Sequence, residues 1–262
     1  MSIRVEQISL MHLFSLGTHR GNRKSALNPK LKKKVYGVNK GLSVIDLVET
    51  KASLERSAKL LEKIGQKKGQ LLVVGTSVHT KNIVEDFVSR VPNNQAAYVN
   101  HRWLGGTLTN WSTIRKTLKT LDKTKNMVKD KDFFSRLSRN EQLALNRKLV
   151  KLERFFNGLT VLKNNKPSAV IVLDAKDNPV AIREAEAMKI PVIAITNTNV
   201  DVLPEDLQYT IVCNTSSINC LKFIMEVLSD AYNEGVNKVN LTITTTQKEK
   251  NNQKQVRQPV VN

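Results

Sequence analysis

Apolar residues along the chain follow two periods. Short unbroken runs at Leu71-Leu72-Val73-Val74-Gly75, at residues 96–99, at Ala169-Val170-Ile171-Val172-Leu173 and at residues 191–195 have the length and β-branched content of strands covered on both faces. Stretches of helical spacing alternate with them. Leu54, Ala58, Leu61 and Ile64 share one stripe of a helix over residues 51–64, and further helices are expected over 81–90, 178–188 and 216–232. Strand candidates at 42–48 and 209–213 complete the series. Strand and helix in alternation predict βαβ units wound around a parallel sheet.

The middle of the chain breaks this rhythm. Trp111, Ile114, Leu118 and Leu121 repeat at three-four-three spacing, and Leu145, Leu149, Leu152 and Phe156 at four-three-four, both heptad-like seams. Ser138-Arg139-Asn140-Glu141 fits a capping box that opens the second of the two helices. A first helix from 109 to about 127 would be about 28 Å long at 1.5 Å per residue. The fold class expected is therefore α/β, a parallel sheet flanked by helices, with an inserted α-helical hairpin. The chain divides into a basic N-terminal arm over 1–40, an α/β body over 41–108 and 159–239, the hairpin over 109–158, and a disordered polar tail over 240–262. That last stretch is dominated by Thr, Gln, Lys and Asn.

Charge changes the picture from a fold to a function class. The 262 residues carry a formal net charge of +19, far more self-repulsion than an enzyme with a small substrate ordinarily tolerates. A nucleic-acid binder recovers that cost by neutralising phosphates. The cations are also localised. Residues 19–40 hold eight Lys or Arg and no acid, and residues 101–157 hold fourteen against five, whereas residues 161–235 reverse the balance with six against ten. Such asymmetry reads as a footprint on one face. Cys213 and Cys220 lie seven apart with no C-x-x-C, and read as small buried hydrophobes of a reducing compartment. No apolar run has membrane-spanning length, and Arg4, Glu6 and His12 interrupt the first sixteen residues where a secretory signal needs an apolar core.

Enzyme chemistry has two weak footholds. Gly75-Thr76-Ser77 follows a strand and precedes a helix, and Asp174 ends the strand over 169–173, positions where α/β enzymes hold phosphates and polar ligands. Neither lies in a P-loop or dinucleotide fingerprint, and no second carboxylate or histidine is placed to work with Asp174. His12, His19, His79 and His101 are dispersed without a metal-ligand spacing. A structural turn is the simpler account of both positions, and no catalytic residue, cofactor or metal is expected.

Nucleic-acid chemistry is better supported. Arg20, Arg23, Lys24, Lys30, Lys32, Lys33, Lys34 and Lys40 are interleaved with Gly21, Asn22, Asn28, Pro29 and Gly37, a composition suited to an extended segment following a phosphate backbone. The alternative is a solvated charge run. The thirteen residues Val99-Asn100-His101-Arg102-Trp103-Leu104-Gly105-Gly106-Thr107-Leu108-Thr109-Asn110-Trp111 then place two cations, two tryptophans and a glycine pair at a helix start. His101, Arg102 and Trp103 can stack on bases and reach phosphate, the glycines admit a close backbone, and Thr109 or Asn110 can cap the helix. Arg115, Lys116 and Lys119 extend the cationic surface onto that helix. Both tryptophans could instead brace the joint between hairpin and body.

At these residues the chain resembles the bacterial and organellar type of the small-subunit ribosomal protein S2 (uS2) family. The stretch from Val99 to Trp111 carries the likeness most specifically. Gly17-Thr18-His19, Asn28-Pro29-Lys30, Ile45-Asp46-Leu47, Leu72 to Thr76, Leu143 to Gly158, Val172-Leu173-Asp174, Ala181 to Ala185 and Ile190 to Asn199 add to it, over roughly residues 8–235. The resemblance implies a Rossmann-like or flavodoxin-like parallel sheet flanked by helices, with an inserted antiparallel α-helical coiled-coil hairpin, no catalysis and no small-molecule substrate. It also implies binding to small-subunit rRNA near the head–body junction beside neighbouring ribosomal proteins. In bacteria those neighbours would include the OB-repeat protein that captures mRNA. Two departures stand out. Asn22 occupies a place where the family usually has a second histidine, and Cys213-Asn214-Thr215-Ser216-Ser217 replaces a usually acidic turn. A ribosome in a bacterial cytoplasm or inside an organelle is expected, without a membrane anchor. The likeness begins near Met1, so no cleavable presequence is expected.

Overall fold

The computed structural model describes residues 5–92, 95–162 and 166–256, with side chains described as far as residue 239. Two sheets organise it. The smaller is antiparallel, in the order β1 (Arg20–Arg23), β3 (Leu42–Ile45), β2 (Val35–Asn39). Lys40 and Gly41 join β2 to β3 with φ of 48° and 81°, the left-handed pair that matches the twist of a two-residue hairpin. The strand expected at 42–48 thus belongs to this sheet and not to the parallel one. It ends at Ile45 because Asp46 caps the next helix, its carboxylate accepting from the Val48 N–H at 2.9 Å.

The larger sheet contains β4 (Leu71–Val74), β5 (Ala96–Val99), β6 (Ala169–Leu173), β7 (Val192–Thr196) and β8 (Thr210–Val212). Its order is β5-β4-β6-β7-β8 with every pairing parallel. Counted from β4 this is the doubly wound order 2-1-3-4-5 of flavodoxin-like folds. Successive side chains point to opposite faces, which is why the strands are apolar without interruption. Leu71, Val73, Ile171, Leu173, Ile193 and Ile195 face helices α2 (Leu47–Gln66), α3 (Lys81–Arg90) and α8 (Ile218–Val256), where Leu54, Leu61, Phe87, Leu221 and Leu228 are buried. Leu72, Val74, Val170, Val172, Ala194 and Val212 face the other way, towards Ala181, Ile182 and Ala185 of α7 (Pro179–Ala187). The short helix α1 (Leu10–Ser15) buries Leu13 in the first of these layers.

Between β5 and β6, where a doubly wound fold needs a single crossover helix, the chain makes α4 (Trp111–Lys129), α5 (Lys131–Arg136) and α6 (Arg139–Phe156). Ser138 opens α6 with both bonds of the expected capping box. The apolar stripe of α4 meets both the body and the inner end of α6. Ile114, Leu118 and Leu121 are buried in the body layer with Phe156, Leu159 and Leu162, so the first half of α4 supplies the missing crossover packing. Leu149, Leu152 and Phe155 of α6 pack against the same cluster, and further out Lys125 meets Glu153 at 3.4 Å and donates to Asn157 at 2.9 Å. At the other end of the chain, α8 runs to Val256, well into the segment expected to be a disordered tail. No Gly or Pro interrupts residues 236–256, and the Lys, Gln and Glu there are good helix formers. Residues 257–262 lie outside the described residues.

Candidate nucleic-acid interface

The most constrained segment at the carboxyl edge of the parallel sheet is the turn between β5 and α4, and one carboxylate holds it. Glu184 projects from the middle of α7 and is buried. Its Oε1 accepts from Trp103 Nε1 at 3.0 Å and from the Gly106 N–H at 2.8 Å. Its Oε2 accepts from the Leu108 N–H at 2.9 Å, and from the Thr109 N–H and hydroxyl, both at 3.3 Å. Burial alone would raise the pKa of this carboxyl. The bonds from Trp103, Leu108, Gly106 and Thr109 outweigh it and hold the group below the ordinary carboxylate value. Donors that would otherwise be orphans at a helix start converge on a single anion.

That arrangement corrects the expected part of Trp103. The indole is 8% exposed, with its N–H already used, so it braces the joint and cannot stack on a base. The glycines also act differently from expectation. Gly106 needs a left-handed turn, with φ of 87°, whereas a Cβ on Gly105 would meet open space. Asn110 precedes α4 without a side-chain cap. What the braced turn presents outward is Arg102, which is exposed, and His101, which is half-buried. His101 Nδ1 lies 3.2 Å from Lys81 Nζ. Burial first, then the charges of Lys81 and Arg154, push the imidazole below its ordinary pKa, so it is held neutral.

The basic segment is folded, not extended. Asn28 caps a 3-10 turn over Pro29–Lys34 and ties it to the body, its side chain donating to the Val200 carbonyl at 2.8 Å and its N–H to the Thr198 carbonyl at 3.0 Å. Asn22 does the same for β1, donating through Nδ2 to Asn199 Oδ1 at 2.7 Å, and through its N–H to the Thr198 hydroxyl at 2.9 Å. Leu31 is wholly buried. Arg20, Arg23, Lys24, Lys30, Lys32, Lys33 and Lys40 remain exposed. Lys34 does not, which is the second correction. Its ammonium donates to Ser53 Oγ at 2.8 Å and the Thr210 carbonyl at 2.9 Å, and pairs with Glu49 at 3.3 Å. Desolvation lowers its pKa against the raising effect of Glu49. Lys34 is a tether between the arm, α2 and β8, out of reach of a phosphate.

On α4, Arg115, Lys116 and Lys119 are exposed. They lie on the flank opposite the stripe that Ile114 and Leu118 bury against the body. The first enzymatic foothold is closed by packing. A Cβ on Gly75 would come within 2.7 Å of Val84 Cγ2, so the glycine serves helix–strand packing. Thr76 donates to Asn178 at 3.0 Å across the switch point between β4 and β6. Asp174, at φ of 55°, has its pKa raised by burial and by Asp177. Cys213 and Cys220 are buried and free, as the sequence suggested. The replaced turn beside them grips the N-terminus instead, Asn214 donating to the Gly17 carbonyl at 3.2 Å and Ser217 to the Leu16 carbonyl at 3.2 Å. Among the described residues no cluster of three or more His, Cys, Asp or Glu could hold a metal ion, and no helix is long and apolar enough to cross a membrane.

Sequence reasoning missed Glu184, Thr198 and Asn199. A glutamate in the buried stripe of α7, between Ala181 and Ala185, was the available signal for the first of these.

Fold and site together define an α/β protein of flavodoxin-like strand order, with a helical insertion and a cationic, carboxylate-braced carboxyl edge. The chain belongs to the ribosomal protein S2 family, whose model matches residues 13–235. It is 37% identical over 224 residues to the small ribosomal subunit protein uS2 of Spiroplasma citri, covering 86% of this chain and 60% of that protein. It is 34% identical over 228 residues to the uS2 protein of Petrotoga mobilis, covering 87% and 77% respectively.

Proposed function

We propose that the chain is a structural, non-catalytic constituent of the small ribosomal subunit, and that it binds small-subunit rRNA. The observation that carries this reading is the family match over residues 13–235, to relatives named as small ribosomal subunit proteins. The net charge of +19 supports it, since rRNA supplies the counter-charge. Arg20, Arg23, Lys24, Lys30, Lys32, Lys33 and Lys40 form one part of the rRNA surface, His101 and Arg102 a second, and Arg115, Lys116 and Lys119 a third. Lys34 and Trp103 hold those surfaces in place. The helices α4, α5 and α6 act as an antiparallel, coiled-coil-like hairpin at the base of which the second and third parts meet. The protein sits near the head–body junction with neighbouring ribosomal proteins, including the OB-repeat mRNA-capturing protein if the ribosome is bacterial. Its compartment is a bacterial cytoplasm or an organelle interior.

Sedimentation of an extract from the source cells tests the reading. Most of the protein should travel with small subunits and leave them only in high salt. Protein found free, binding a nucleotide with an affinity that Asp174→Asn abolishes, would replace this reading with that of an α/β enzyme.

A further inference from the structure

Charge at the base of the helical insertion is not balanced where it would be expected to be. Lys81 opens α3 and reaches His101, which follows β5, while Arg154 in the last turn of α6 precedes Phe155, whose ring stands 6.3 Å from the imidazole, so three segments distant in sequence meet at His101. None of Lys81, Arg102 and Arg154 has a carboxylate within ion-pair distance among the described residues. Glu85 stands one helical turn beyond Lys81 and is turned towards Asn100, accepting from its Nδ2 at 2.7 Å. Lys81 is instead oriented by the neutral His101 ring, Nζ to Nδ1 at 3.2 Å. Phe155 backs that ring from 6.3 Å at an interplanar angle of 60°.

A carboxylate in place of His101 would orient the lysine equally well and cancel its charge. A neutral imidazole orients it and leaves the charge available. Beneath it, the turn is fixed by Glu184, so the group is positioned before any ligand arrives. Such a set fits a doubly oxygenated monoanion that presents its oxygens to an ammonium and a guanidinium at once.

We propose that Lys81, His101 and Arg154 form a clamp for a backbone phosphate of RNA, with Lys81 and Arg154 as ligands and His101 as the positioning residue. The clamp rests on the ribosomal reading above and adds to it two side chains that no motif indicated. It joins the β5–α4 turn to the end of α6, so RNA held there also fixes the insertion against the body.

The test compares the full chain with its Lys81→Gln/Arg154→Gln double variant, using a transcript of the source small-subunit rRNA. Neither side chain is buried, so circular dichroism and thermal melting should be unchanged. Dissociation constants are measured over a series of KCl concentrations. The expected result is at least a tenfold loss of affinity near 0.1 M salt, with a log–log salt slope shallower by about 0.7–0.9. A Lys59→Gln/Lys67→Gln control removes the same charge from exposed positions in α2 and just after it, outside the clamp, and should change the affinity little. Equal losses in the two double variants would overturn the clamp in favour of diffuse attraction. No loss in the first would overturn it as well, while leaving rRNA binding intact. A wild-type chain that does not bind the transcript would overturn the ribosomal reading and the clamp together. To separate RNA from a free anion, the His101 Cε1 proton resonance is followed on adding the transcript or inorganic phosphate. It should move with RNA alone, and saturation by micromolar phosphate would overturn the assignment to RNA.

Discussion

The basic segment from Arg20 to Lys40 and the helices from Trp111 to Phe156 carry the same kind of charge, yet the body grips them in different ways. Every few residues of the first are tied down, by Asn22 to Asn199, by Asn28 to Val200, by wholly buried Leu31, and by Lys34 to Ser53 and Thr210. The second is anchored only at its root. Ile114, Leu118 and Leu121 are buried in the body, and Glu184 braces the turn before them. Between Thr124 and Phe156 no side chain is buried. The difference teaches that a cation in a basic run can be a tether or a contact, and that only its depth distinguishes them. It also places the root of the insertion at Glu184 and at the buried stripe of α4.

Glu184→Ala should loosen that root with the largest effect. It strips the acceptor from the buried Trp103 N–H and from the Leu108 N–H, each an orphan that costs roughly 1–3 kcal/mol, so the loss in urea denaturation should be about 3–4 kcal/mol. Glu184→Gln keeps part of the acceptor set and should lose about half as much. The pH dependence has a defined sign. Because the folded carboxyl sits below its ordinary 4.5, its stabilisation is complete above that value and is lost as pH falls through the depressed folded value. The margin of wild type over Glu184→Ala should therefore be constant at neutral pH and narrow in acid. A small, pH-independent difference would mean that the turn is held by packing alone.

The parallel sheet was legible because each of its strands is an unbroken apolar run between helical stripes. The capping box at Ser138 was legible because it is a local rule. The site was only half legible, for reasons of the same kind. Cations announce a phosphate partner, but Lys34 reads like Lys32 and Lys33 until the 3-10 turn over Pro29–Lys34 sends it inward. Trp103 reads as a stacking surface until Glu184, some eighty residues away, claims its N–H. The stripe of Ile114, Leu118 and Leu121 fits a seam with α6 and a body-packing face equally, and the fold uses it for both, which spacing alone does not reveal.

A pair of neighbouring lysines sharpens the distinction between tether and contact. Lys34→Met takes a donor from the Thr210 carbonyl and from Ser53, which keeps Arg56 at 3.0 Å, and leaves Glu49 with Arg56 at 2.7 Å and Ser53 at 3.2 Å. A loss of about 2 kcal/mol is expected in denaturant titration, with the salt slope of RNA binding unchanged. Lys33→Met should do the reverse. Its stability should stay within about 0.5 kcal/mol of wild type, while the slope becomes shallower by about 0.7–0.9. Matching behaviour in the two variants would erase the distinction drawn from burial.

The smallest effect is expected at the outer end of the insertion, where the body's grip is weakest. Ser138 caps α6 through its hydroxyl, and Glu141 returns the bond to the Ser138 N–H at 2.9 Å. Ser138→Ala removes the hydroxyl side of that exchange and should speed amide exchange about tenfold in the first turn of α6. The bonds from Ser138 hold the Glu141 carboxyl below its ordinary value, so wild type should lose the same protection as the pH falls through that depressed value. Because this turn contributes no buried side chain, the global melting temperature should not move. A fall in the melting temperature would mean that the outer helices and the body unfold as one cooperative unit, and the contrast between rooted and tethered regions would then fail.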